Sequence, residues 1–368
     1  MHLWRIGCQT PGDGAIEWRR LMERVLVLST SFMDPLITHP KEEGEAARML
    51  ARLAEGSDGT IRIDYRCDRD PRDPLSGDEL DRTAATIADL ELYSREVLQE
   101  VGVGAGGPLK LIARYGVGYD TVDLKAAVEF GVIVTNCPGC NAMPTAELTV
   151  ATILDIAGRR IPHYETASRG KTKEGPSRLD VFGKTLGTIG TGAIGKNVFR
   201  LMKGYEVKGI AYDPFPDRKW AEKAGVEYLD SIDAVCKRAD IITLHAASND
   251  TLIDERRIRT MRPTTVLINC ARRHLVDNEA VYRAVERGEL WGYGMDEIWH
   301  LDLPLQGLNI VVSPHVGSDT DMGKIGMQVM SAQAVVDFME GFKPRHVVNR
   351  EVLKSPIYAH LMERTDES

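Results

Sequence analysis

The sequence predicts an α/β fold of two doubly wound domains, each with a parallel sheet covered by helices. Short runs rich in Val and Ile alternate with helical patterns and show no strict polar alternation, which is typical of strands buried on both faces. The chain has 368 residues, 43% of them apolar, which is too long for one ordinary domain and sufficient for two cores. The predicted strands are Val25–Leu28, Ile61–Tyr65, Leu109–Ala113, Val132–Thr135, Thr185–Ile189, Val207–Tyr212, Ile241–His245, Thr265–Asn269, Gly292–Met295 and Asn309–Val312.

Two helical patterns indicate where the domains join. Thr145–Arg169 has no strand partner and separates two series of strands and helices, whereas Asp321–Gly341 follows the last predicted strand. We therefore expect a first domain made of residues 1–153 and 322–368, with a second domain, residues 154–321, inserted into it.

Charge and composition exclude several classes of protein. The 46 Lys and Arg residues against 54 Asp and Glu residues give a net charge of −8, so the chain is a poor ligand for nucleic acid or anionic membranes. No apolar run approaches the roughly 20 residues that a bilayer requires. Residues 1–21, which we expect to be a peripheral leader, lack the apolar core of a signal peptide. Six cysteines in so long a chain do not indicate a disulfide scaffold, so we expect a cytoplasmic protein.

A glycine-rich turn follows one predicted strand and opens the next helix. Its sequence, Gly190-Thr-Gly192-Ala-Ile-Gly195, has the Gly-x-Gly-x-x-Gly spacing. Gly190 would allow a tight turn, Gly192 the approach of a pyrophosphate, and Gly195 close packing of helix on strand. The helix N-terminus at Ala193 and Ile194 would offer N–H groups and a partial positive charge to the phosphates.

The next strand ends in an acidic residue, which indicates the kind of dinucleotide. Asp213 stands 18 residues beyond Gly195, where a carboxylate accepts hydrogen bonds from ribose hydroxyls and repels a 2′-phosphate. The pattern favours NAD over NADP, although Arg218 and Lys219 follow nearby.

Three further strand ends carry polar residues, in Ile268-Asn-Cys-Ala-Arg272, Gly294-Met-Asp296 and Val311-Val-Ser-Pro-His315. With the glycine turn they resemble the D-isomer-specific 2-hydroxyacid dehydrogenases. The resemblance covers about residues 22–353 in the family's order. Its other segments are Ala113-Arg-Tyr-Gly-Val-Gly-Tyr-Asp120, Val134-Thr-Asn-Cys-Pro-Gly-Cys-Asn141, Ala146-Glu-Leu-Thr149 and Gly341-Phe-Lys-Pro…Val347-Val-Asn349.

The resemblance implies a Rossmann NAD-binding domain inserted in a flavodoxin-like substrate domain, an active site in the cleft between them, and a homodimer formed through the cofactor domain. NADH would reduce a 2-oxo acid, and the reverse reaction would oxidise a D-2-hydroxy acid. Arg272 can bind the substrate carboxylate bidentately, and His315 can donate the proton because its pKa lies near working pH. The backbone N–H groups that resemble the family's carboxylate cradle belong to Tyr115, Gly116, Val117 and Gly118.

The resemblance also assigns residues to the cofactor. Asp296 matches the family position that bonds the nicotinamide carboxamide. The other positions assigned to NAD outside the glycine turn are His245, Ala246, Ala247, Cys270, Ala271 and Gly317.

The segment between Asp296 and His315 departs from the family pattern. The family usually carries Asp-Val-Phe-x-x-Glu-Pro, whose Glu orients the histidine, whereas here that position falls on Leu301. Either Asp302 or Glu297 could supply the carboxylate. We favour Asp302, because Glu297 should point to the opposite side of a strand from Asp296.

Two other functions remain open. The Leu301 substitution favours an NAD(H)-binding regulatory, corepressor-like protein with weak or no turnover. Cys137-Pro-Gly-Cys140 lies between a strand and a helix, a setting suited to thiol–disulfide chemistry, although the family carries the same Asn-x-Pro-Gly-x-Asn frame without cysteines. No second Cys-x-x-Cys or His pair follows, so no metal site is predicted.

Overall fold

The computed structural model describes residues 23–29, 32, 44–67, 70, 73–172 and 177–363. The chain divides into two compact units, one formed by residues 1–138 with 327–368 and the other by residues 139–326. The second unit is therefore inserted in the sequence of the first. The predicted leader, residues 1–21, lies outside the described residues.

Five parallel strands form the sheet of the first unit: β1 (Glu23–Val27), β2 (Ile61–Tyr65), β3 (Thr83–Ala88), β4 (Leu111–Arg114) and β5 (Ile133–Thr135). Their order is β2-β1-β3-β4-β5, which is the flavodoxin-like, doubly wound arrangement. The helices between them are α1 (Glu45–Gly56), α2 (Arg95–Val101) and α3 (Leu124–Glu129).

Seven parallel strands form the sheet of the second unit: β6 (Thr185–Ile189), β7 (Lys208–Tyr212), β8 (Val226–Tyr228), β9 (Ile241–Leu244), β10 (Val266–Asn269), β11 (Gly292–Asp296) and β12 (Ile310–Ser313). Their order is β12-β11-β10-β9-β6-β7-β8. This is the Rossmann order extended by one strand, with its reversal between β6 and β9. The predicted fold class is confirmed.

The remaining helices complete the two units. They are α4 (Ala142–Ala157), α5 (Arg160–Ser168), α6 (Ala193–Met202), α7 (Arg218–Ala224), α8 (Ile232–Arg238), α9 (Glu255–Ile258), α10 (Asn278–Glu286) and α11 (Asp321–Met339). None of the helices in the described part of the chain combines the length and the apolar character needed to cross a membrane.

Two strands were not predicted from the sequence. β3 is central in its sheet and all its residues are buried, but its sequence Thr-Ala-Ala-Thr-Ile-Ala contains a single large apolar residue. Small side chains suit a strand packed on both faces, yet they give little apolar signal. The other missed strand, β8, is a three-residue edge strand.

The first domain boundary differs from the expected one. The sequence pattern places the start of the second domain at residue 154, whereas the second unit begins at residue 139. The reason is that α4 packs on the second sheet, where Ala146 and Ile153 share a core with Leu186 and Val198. The second boundary, expected at residues 321 and 322, falls inside α11 at 326 and 327.

The long helical pattern Thr145–Arg169 contains a break that the sequence analysis did not predict. α4 ends at Ala157 and α5 begins at Arg160, and between them Arg159 adopts a left-handed φ of 47°. The Arg159 guanidinium stacks over the Trp291 ring at 4.1 Å. A cation–π contact of this kind helps to hold the unusual backbone conformation.

Candidate active site

The glycine-rich turn lies at the point where the strand order of the second sheet reverses. Gly190 has φ +95°, and a β-carbon on it would lie 2.6 Å from the His245 carbonyl oxygen at the end of β9. A β-carbon on Gly195 would lie 2.3 Å from the Gly190 carbonyl oxygen. The turn therefore packs so closely on β9 and α6 that only glycine fits at these two positions.

The middle glycine is different, because its surroundings are open. Apart from Gly192 itself and its neighbours in the chain, no heavy atom of the described residues lies within 4 Å of its β-carbon position. Gly192 is the N-cap of α6 and has no side chain, so the capping residue supplies no acceptor to the first-turn N–H groups near Ala193 and Ile194. The open approach and the uncapped helix end fit the pyrophosphate of a dinucleotide.

Asp213, the candidate ribose ligand, is also bound to the turn. Its Oδ2 accepts hydrogen bonds from the Thr191 backbone N at 2.7 Å and from Thr191 Oγ1 at 2.9 Å. Its Oδ1 accepts from the Phe215 backbone N at 2.9 Å. Since a carboxylate has about four acceptor positions, one remains for a ribose hydroxyl. Thr191 was not singled out from the sequence, although its place between two glycines of the motif was a signal.

His245 presents an imidazole beneath the turn. Among the described residues neither ring nitrogen has a hydrogen-bond partner, and both nitrogens are buried. Burial lowers the pKa of His245 to about 3, so the ring is neutral at physiological pH. A neutral imidazole has one donor and one acceptor, and unpaired buried groups of this kind are consistent with a site that a polar ligand completes.

Other predicted cofactor positions lie near the ends of β9 and β10. Ala246 packs on the second unit's core and Ala247 is exposed. Burial raises the pKa of the Cys270 thiol to about 12, so this thiol stays protonated. The Ala271 backbone N donates to Asn269 Oδ1 at 3.1 Å, which fixes the backbone just before Arg272.

Arg272 follows β10 and is half-buried. Its carbonyl oxygen accepts a hydrogen bond from Asn269 Nδ2 at 2.9 Å, and its Nη1 donates to the Ala271 carbonyl oxygen at 3.0 Å. The positive charge of Arg272 lies close enough to act electrostatically on both His315 and Glu297. The structure therefore brings a permanent cation close to the candidate acid–base group.

His315 has a carboxylate partner, and it is Glu297. His315 Nδ1 lies 3.3 Å from Glu297 Oε2. This hydrogen bond raises the pKa of His315 against the opposing effect of burial, and it lowers the pKa of Glu297. Our preference for Asp302 is not what the structure shows. Strand alternation does not constrain Glu297, because β11 ends at Asp296 and the backbone turns there.

Asp296 holds the loop that carries His315. Its Oδ1 accepts from Ser313 Oγ at 2.6 Å and from the Val316 backbone N at 2.9 Å, and its Oδ2 accepts from the Gly317 backbone N at 2.7 Å. Three of about four acceptor positions are thus occupied within the chain, which leaves one for a nicotinamide carboxamide. These bonds support His315, whose φ is +61°, a region that residues with a β-carbon rarely adopt.

Gly317, predicted to bind the cofactor, has a structural reason to be glycine. A β-carbon on it would lie 2.8 Å from Asp296 Oδ2 and 3.3 Å from Thr145 Oγ1. The absence of a side chain therefore permits the close approach of Asp296. Ser313 was missed from the sequence, although it stands two residues before His315.

The loop proposed as a carboxylate cradle belongs to the first unit, and half of its N–H groups are occupied. The Tyr115 N–H donates to the Ala88 carbonyl oxygen at 2.7 Å, continuing the β3–β4 pairing, and the Gly116 N–H donates to the Arg114 carbonyl oxygen at 3.1 Å. Within the described residues no acceptor faces the N–H groups of Val117 and Gly118. The four-residue cradle is therefore reduced to these two donors.

Asn136 supports this loop and was also missed. Its Nδ2 donates to the Val117 carbonyl oxygen at 2.8 Å, and the Cys137 backbone N donates to the Gly116 carbonyl oxygen at 2.8 Å. The Cys137 thiol is 1% exposed and donates to the Arg114 carbonyl oxygen at 3.2 Å. This buried thiol packs against backbone rather than facing a reactant.

No group of three or more His, Cys, Asp or Glu side chains suited to a metal ion occurs in the described part of the chain. The candidate catalytic groups on the second unit are the pair formed by His315 and Glu297, together with Arg272.

A glycine-rich turn at the reversal point of a parallel sheet, with an acid–base pair at neighbouring strand ends, defines a nicotinamide-dependent oxidoreductase. The family model described as D-isomer specific 2-hydroxyacid dehydrogenase, NAD binding domain, matches residues 150–317. The chain belongs to this family of NAD-dependent dehydrogenases, which confirms the resemblance predicted from the motifs.

Individual relatives agree with this assignment. The chain is 33% identical over 303 residues to a glyoxylate reductase from Thermococcus litoralis, which covers 78% of this chain and 91% of that protein. It is 36% identical over 251 residues to a D-3-phosphoglycerate dehydrogenase from Methanocaldococcus jannaschii, covering 66% of this chain. That match spans only about half of the relative's length, 48%.

Solved structures show the same fold. The TT0316 protein from Thermus thermophilus is similar with a TM-score of 0.71 and 28% identity, covering 88% of this chain and 99% of that one. The apo form of D-lactate dehydrogenase from Escherichia coli is similar with a TM-score of 0.72 and 22% identity, covering 89% of this chain and 100% of that one. At that identity the second likeness supports the fold alone.

Proposed function

We propose that Arg272, His315 and Glu297 catalyse the interconversion of a small 2-oxo acid and its D-2-hydroxy acid. The observation that carries this proposal is the contact of 3.3 Å between His315 Nδ1 and Glu297 Oε2, beside the Arg272 charge. Bound NADH would supply the hydride. Glyoxylate is the first substrate to test, because a glyoxylate reductase is 33% identical over 91% of its length.

The acid–base role follows from which ring nitrogen is engaged. With Nδ1 bonded to Glu297, the Nε2 of His315 is the nitrogen left to exchange a proton with substrate. The protonated ring donates to the alkoxide that forms on reduction, and the neutral ring accepts the hydroxyl proton on oxidation. Glu297 stabilises the charged ring and fixes its orientation.

Arg272 would bind the anionic end of the substrate. A guanidinium keeps its charge at all physiological pH values and matches a carboxylate with two parallel N–H donors. In the first unit, the N–H groups of Val117 and Gly118 are suited to an anion as well, and their participation in substrate binding stays a prediction.

The proposed function is tested by following NADH oxidation with glyoxylate, hydroxypyruvate, pyruvate and bulkier 2-oxo acids. We expect turnover with at least one small acid, and activity should persist in the Cys137→Ser variant. Tight NADH binding without turnover on any of these acids would instead support the regulatory alternative. The Leu301 substitution favours that alternative less strongly, because Glu297 Oε2 lies 3.3 Å from His315 Nδ1 and can serve as the carboxylate partner.

Replacing Glu297 with Gln should move the pH profile of reduction. Glu297 raises the pKa of His315, and reduction needs the protonated ring, so activity falls as pH rises through that pKa. Without the carboxylate the inflection moves to lower pH, and kcat loses part of the roughly 10²–10⁴-fold that a positioned acid–base group supplies. The matched control is Asp302→Asn, whose profile should follow that of the wild type. A shift in the control and none in Glu297→Gln would reverse the assignment.

Replacing Asp213 with Asn should weaken discrimination between NADH and NADPH. The substitution removes the charge that repels a 2′-phosphate, and it replaces an acceptor of ribose hydroxyls. We expect the Kd of NADH to rise about tenfold or more, since a charged hydrogen-bond partner is lost, while the Kd of NADPH falls relative to it. Nucleotide fluorescence titration measures both constants. Asp230→Asn, an exposed control beyond β8, should leave the ratio unchanged, and an unchanged ratio in Asp213→Asn would contradict the assignment.

We also propose that the protein acts as a cytoplasmic homodimer associated through the second unit. Its surface carries exposed large apolar side chains on and after α5, with Ile161 45%, Tyr164 71% and Phe182 61% exposed. Where exposed apolar side chains form one contiguous patch they mark an interaction surface, so these three side chains are candidate contacts. None of the five cysteines in the described part of the chain forms a disulfide, which is consistent with a reducing compartment. Sedimentation equilibrium would distinguish dimer from monomer.

A further inference from the structure

Three neighbouring strand ends of the second sheet carry polar side chains that contact one another. β6, β7 and β8 are parallel and adjacent, so their carboxyl ends lie at one edge of the sheet. Thr191 follows β6 within the glycine-rich turn, Asp213 follows β7, and Tyr228 is the last residue of β8. The edge strand β8 therefore brings the Tyr228 hydroxyl to two groups of the dinucleotide site.

The Tyr228 hydroxyl lies between Thr191 and the start of α7. Its oxygen is 2.7 Å from Thr191 Oγ1 and 3.1 Å from the Asp217 backbone N. Thr191 Oγ1 is in turn 2.9 Å from Asp213 Oδ2. Asp217 is the N-cap of α7, and its Oδ2 is 2.6 Å from Lys196 Nζ on α6. A continuous series of hydrogen bonds therefore runs from the start of α7 to the Asp213 carboxylate.

The chemistry of the groups fixes the direction of each hydrogen bond in this series. A carboxylate has no hydrogen to give, so the single hydrogen of the Thr191 hydroxyl is donated to Asp213. A backbone N–H can only donate, so the Tyr228 oxygen accepts from Asp217. The Tyr228 hydrogen is then donated to Thr191 Oγ1, whose own hydrogen is already engaged. Hydrogen bonds aligned in one direction polarise and strengthen one another.

The series determines which oxygen of Asp213 remains open. Oδ2 accepts from both the backbone N and the hydroxyl of Thr191, which uses its two lone pairs, whereas Oδ1 accepts only from the Phe215 backbone N among the described residues. One lone pair therefore remains, and it is on Oδ1. Thr191 is 4% exposed, so water would replace the Tyr228 hydroxyl poorly as its partner. The orientation of the Asp213 carboxylate thus depends on Thr191 and, through it, on Tyr228.

We propose that Tyr228, acting through Thr191, is a positioning residue that orients the Asp213 carboxylate and so strengthens the preference for NADH over NADPH. The proposal rests on the assignment of Asp213 to the ribose in the proposed function. A carboxylate held in one orientation offers a ribose hydroxyl a well-placed acceptor and opposes a 2′-phosphate with a fixed negative charge. A carboxylate that rotates freely does both less well.

The test is fluorescence titration of NADH and NADPH into variants of the full chain that lack one hydroxyl. Tyr228→Phe and Thr191→Val each remove a hydroxyl with little change in volume. We expect each to raise the Kd of NADH about two- to tenfold, the effect of losing one hydrogen bond. The Kd of NADPH should rise less, so the ratio of the two constants falls toward one. Thr191→Ser keeps the hydroxyl and should bind both nucleotides nearly as the wild type does.

The matched control is Tyr205→Phe, which removes a tyrosine hydroxyl at the other edge of the same sheet. The Gly183 N–H, just before β6 begins, donates to the Tyr205 carbonyl oxygen at 2.9 Å, which places Tyr205 at the amino ends of the strands. This variant should leave both dissociation constants unchanged. An equal change in Tyr205→Phe and Tyr228→Phe would show a general effect on stability and overturn the proposal.

Combination with Asp213→Asn separates a positioning role from a direct one. If Tyr228 acts through Asp213, Tyr228→Phe should change the ratio of dissociation constants little in the Asp213→Asn background, whereas independent effects would add. A shift in Asp213→Asn but none in Tyr228→Phe or Thr191→Val would overturn this proposal and leave the role of Asp213 standing. An unchanged ratio in Asp213→Asn itself would overturn both. The comparison of Thr191→Val with Thr191→Ser gives a second decision if Tyr228→Phe folds poorly, because equal losses in these two variants would also contradict the proposal.

Discussion

Replacing Arg272 with Ala is expected to lower kcat/KM for the 2-oxo acid by about 10²–10³-fold, the loss seen when one preorganised donor to a developing negative charge is removed. Arg272 is half-buried beside the His315–Glu297 pair, so water replaces its charge poorly. The loss should appear in both kcat and KM, since the guanidinium would bind the carboxylate in the ground state and polarise the carbonyl in the transition state. Steady-state kinetics of NADH oxidation at several concentrations of glyoxylate measure both.

The neighbouring Arg273 provides a matched control for Arg272. It is an exposed arginine one residue further along the chain. We expect Arg273→Ala to retain kcat/KM within a few-fold, in line with surface substitutions in general. Equal losses in the two variants would show that general positive potential, rather than the position of Arg272, is what the substrate requires.

Replacing His315 with Asn should lower kcat for reduction by about 10²–10⁴-fold, the contribution of a positioned acid–base group. Asparagine is chosen because His315 has φ +61°, and Asn tolerates that conformation better than most residues. The loop can therefore keep its hydrogen bonds to Asp296 while the proton donor is lost. The variant should also lose the pH dependence that Glu297 confers on the wild type.

Two measurements show whether the His315 effect is chemical. The Kd of NADH, from fluorescence titration, should change little in His315→Asn, because the glycine turn is untouched. The control His300→Asn removes a histidine from the β11–β12 connection and should retain activity. If His315→Asn kept more than about a tenth of the wild-type kcat, less than the lower bound for a positioned acid–base group would have been lost, and another group would have to be the proton donor.

The fold could be predicted from the sequence to a large extent, because most strands are short runs of Val and Ile buried on both faces. The prediction failed at β3, where burial depends on the flanking strands rather than on the apolarity of Thr-Ala-Ala-Thr-Ile-Ala. It also failed at Arg159, where a stacking contact with Trp291 accompanies the break between two helices. Both failures come from long-range packing, which local sequence patterns do not contain.

The glycine turn could be predicted from its spacing in the sequence. The strand-end positions of Arg272 and His315 could also be predicted, because parallel strands bring their carboxyl ends to one edge of the sheet. Glu297 could not be predicted as the partner of His315, because its position depends on how the backbone turns after Asp296. The occupied N–H of Tyr115 was equally hidden, since the pairing partner β3 had itself been missed. Side-chain roles that depend on tertiary contacts require the structure.

The adjacency of Asp296 and Glu297 has a consequence for how this enzyme can change. Asp296 accepts from the backbone of the His315 loop and Glu297 contacts its ring, so two consecutive residues at one strand end supply the support that the proposed proton transfer needs. The carboxylate partner of His315 therefore lies outside the connection from residue 298 to residue 309, where the family usually has it. The ends of this stretch are held, because the Ile298 backbone N donates to Glu297 Oε1 and Asn309 Nδ2 donates to the Trp291 carbonyl oxygen. The exposed side chains between them, from His300 to Gln306, are therefore the positions at which we expect substrate preference to change without moving the acid–base pair.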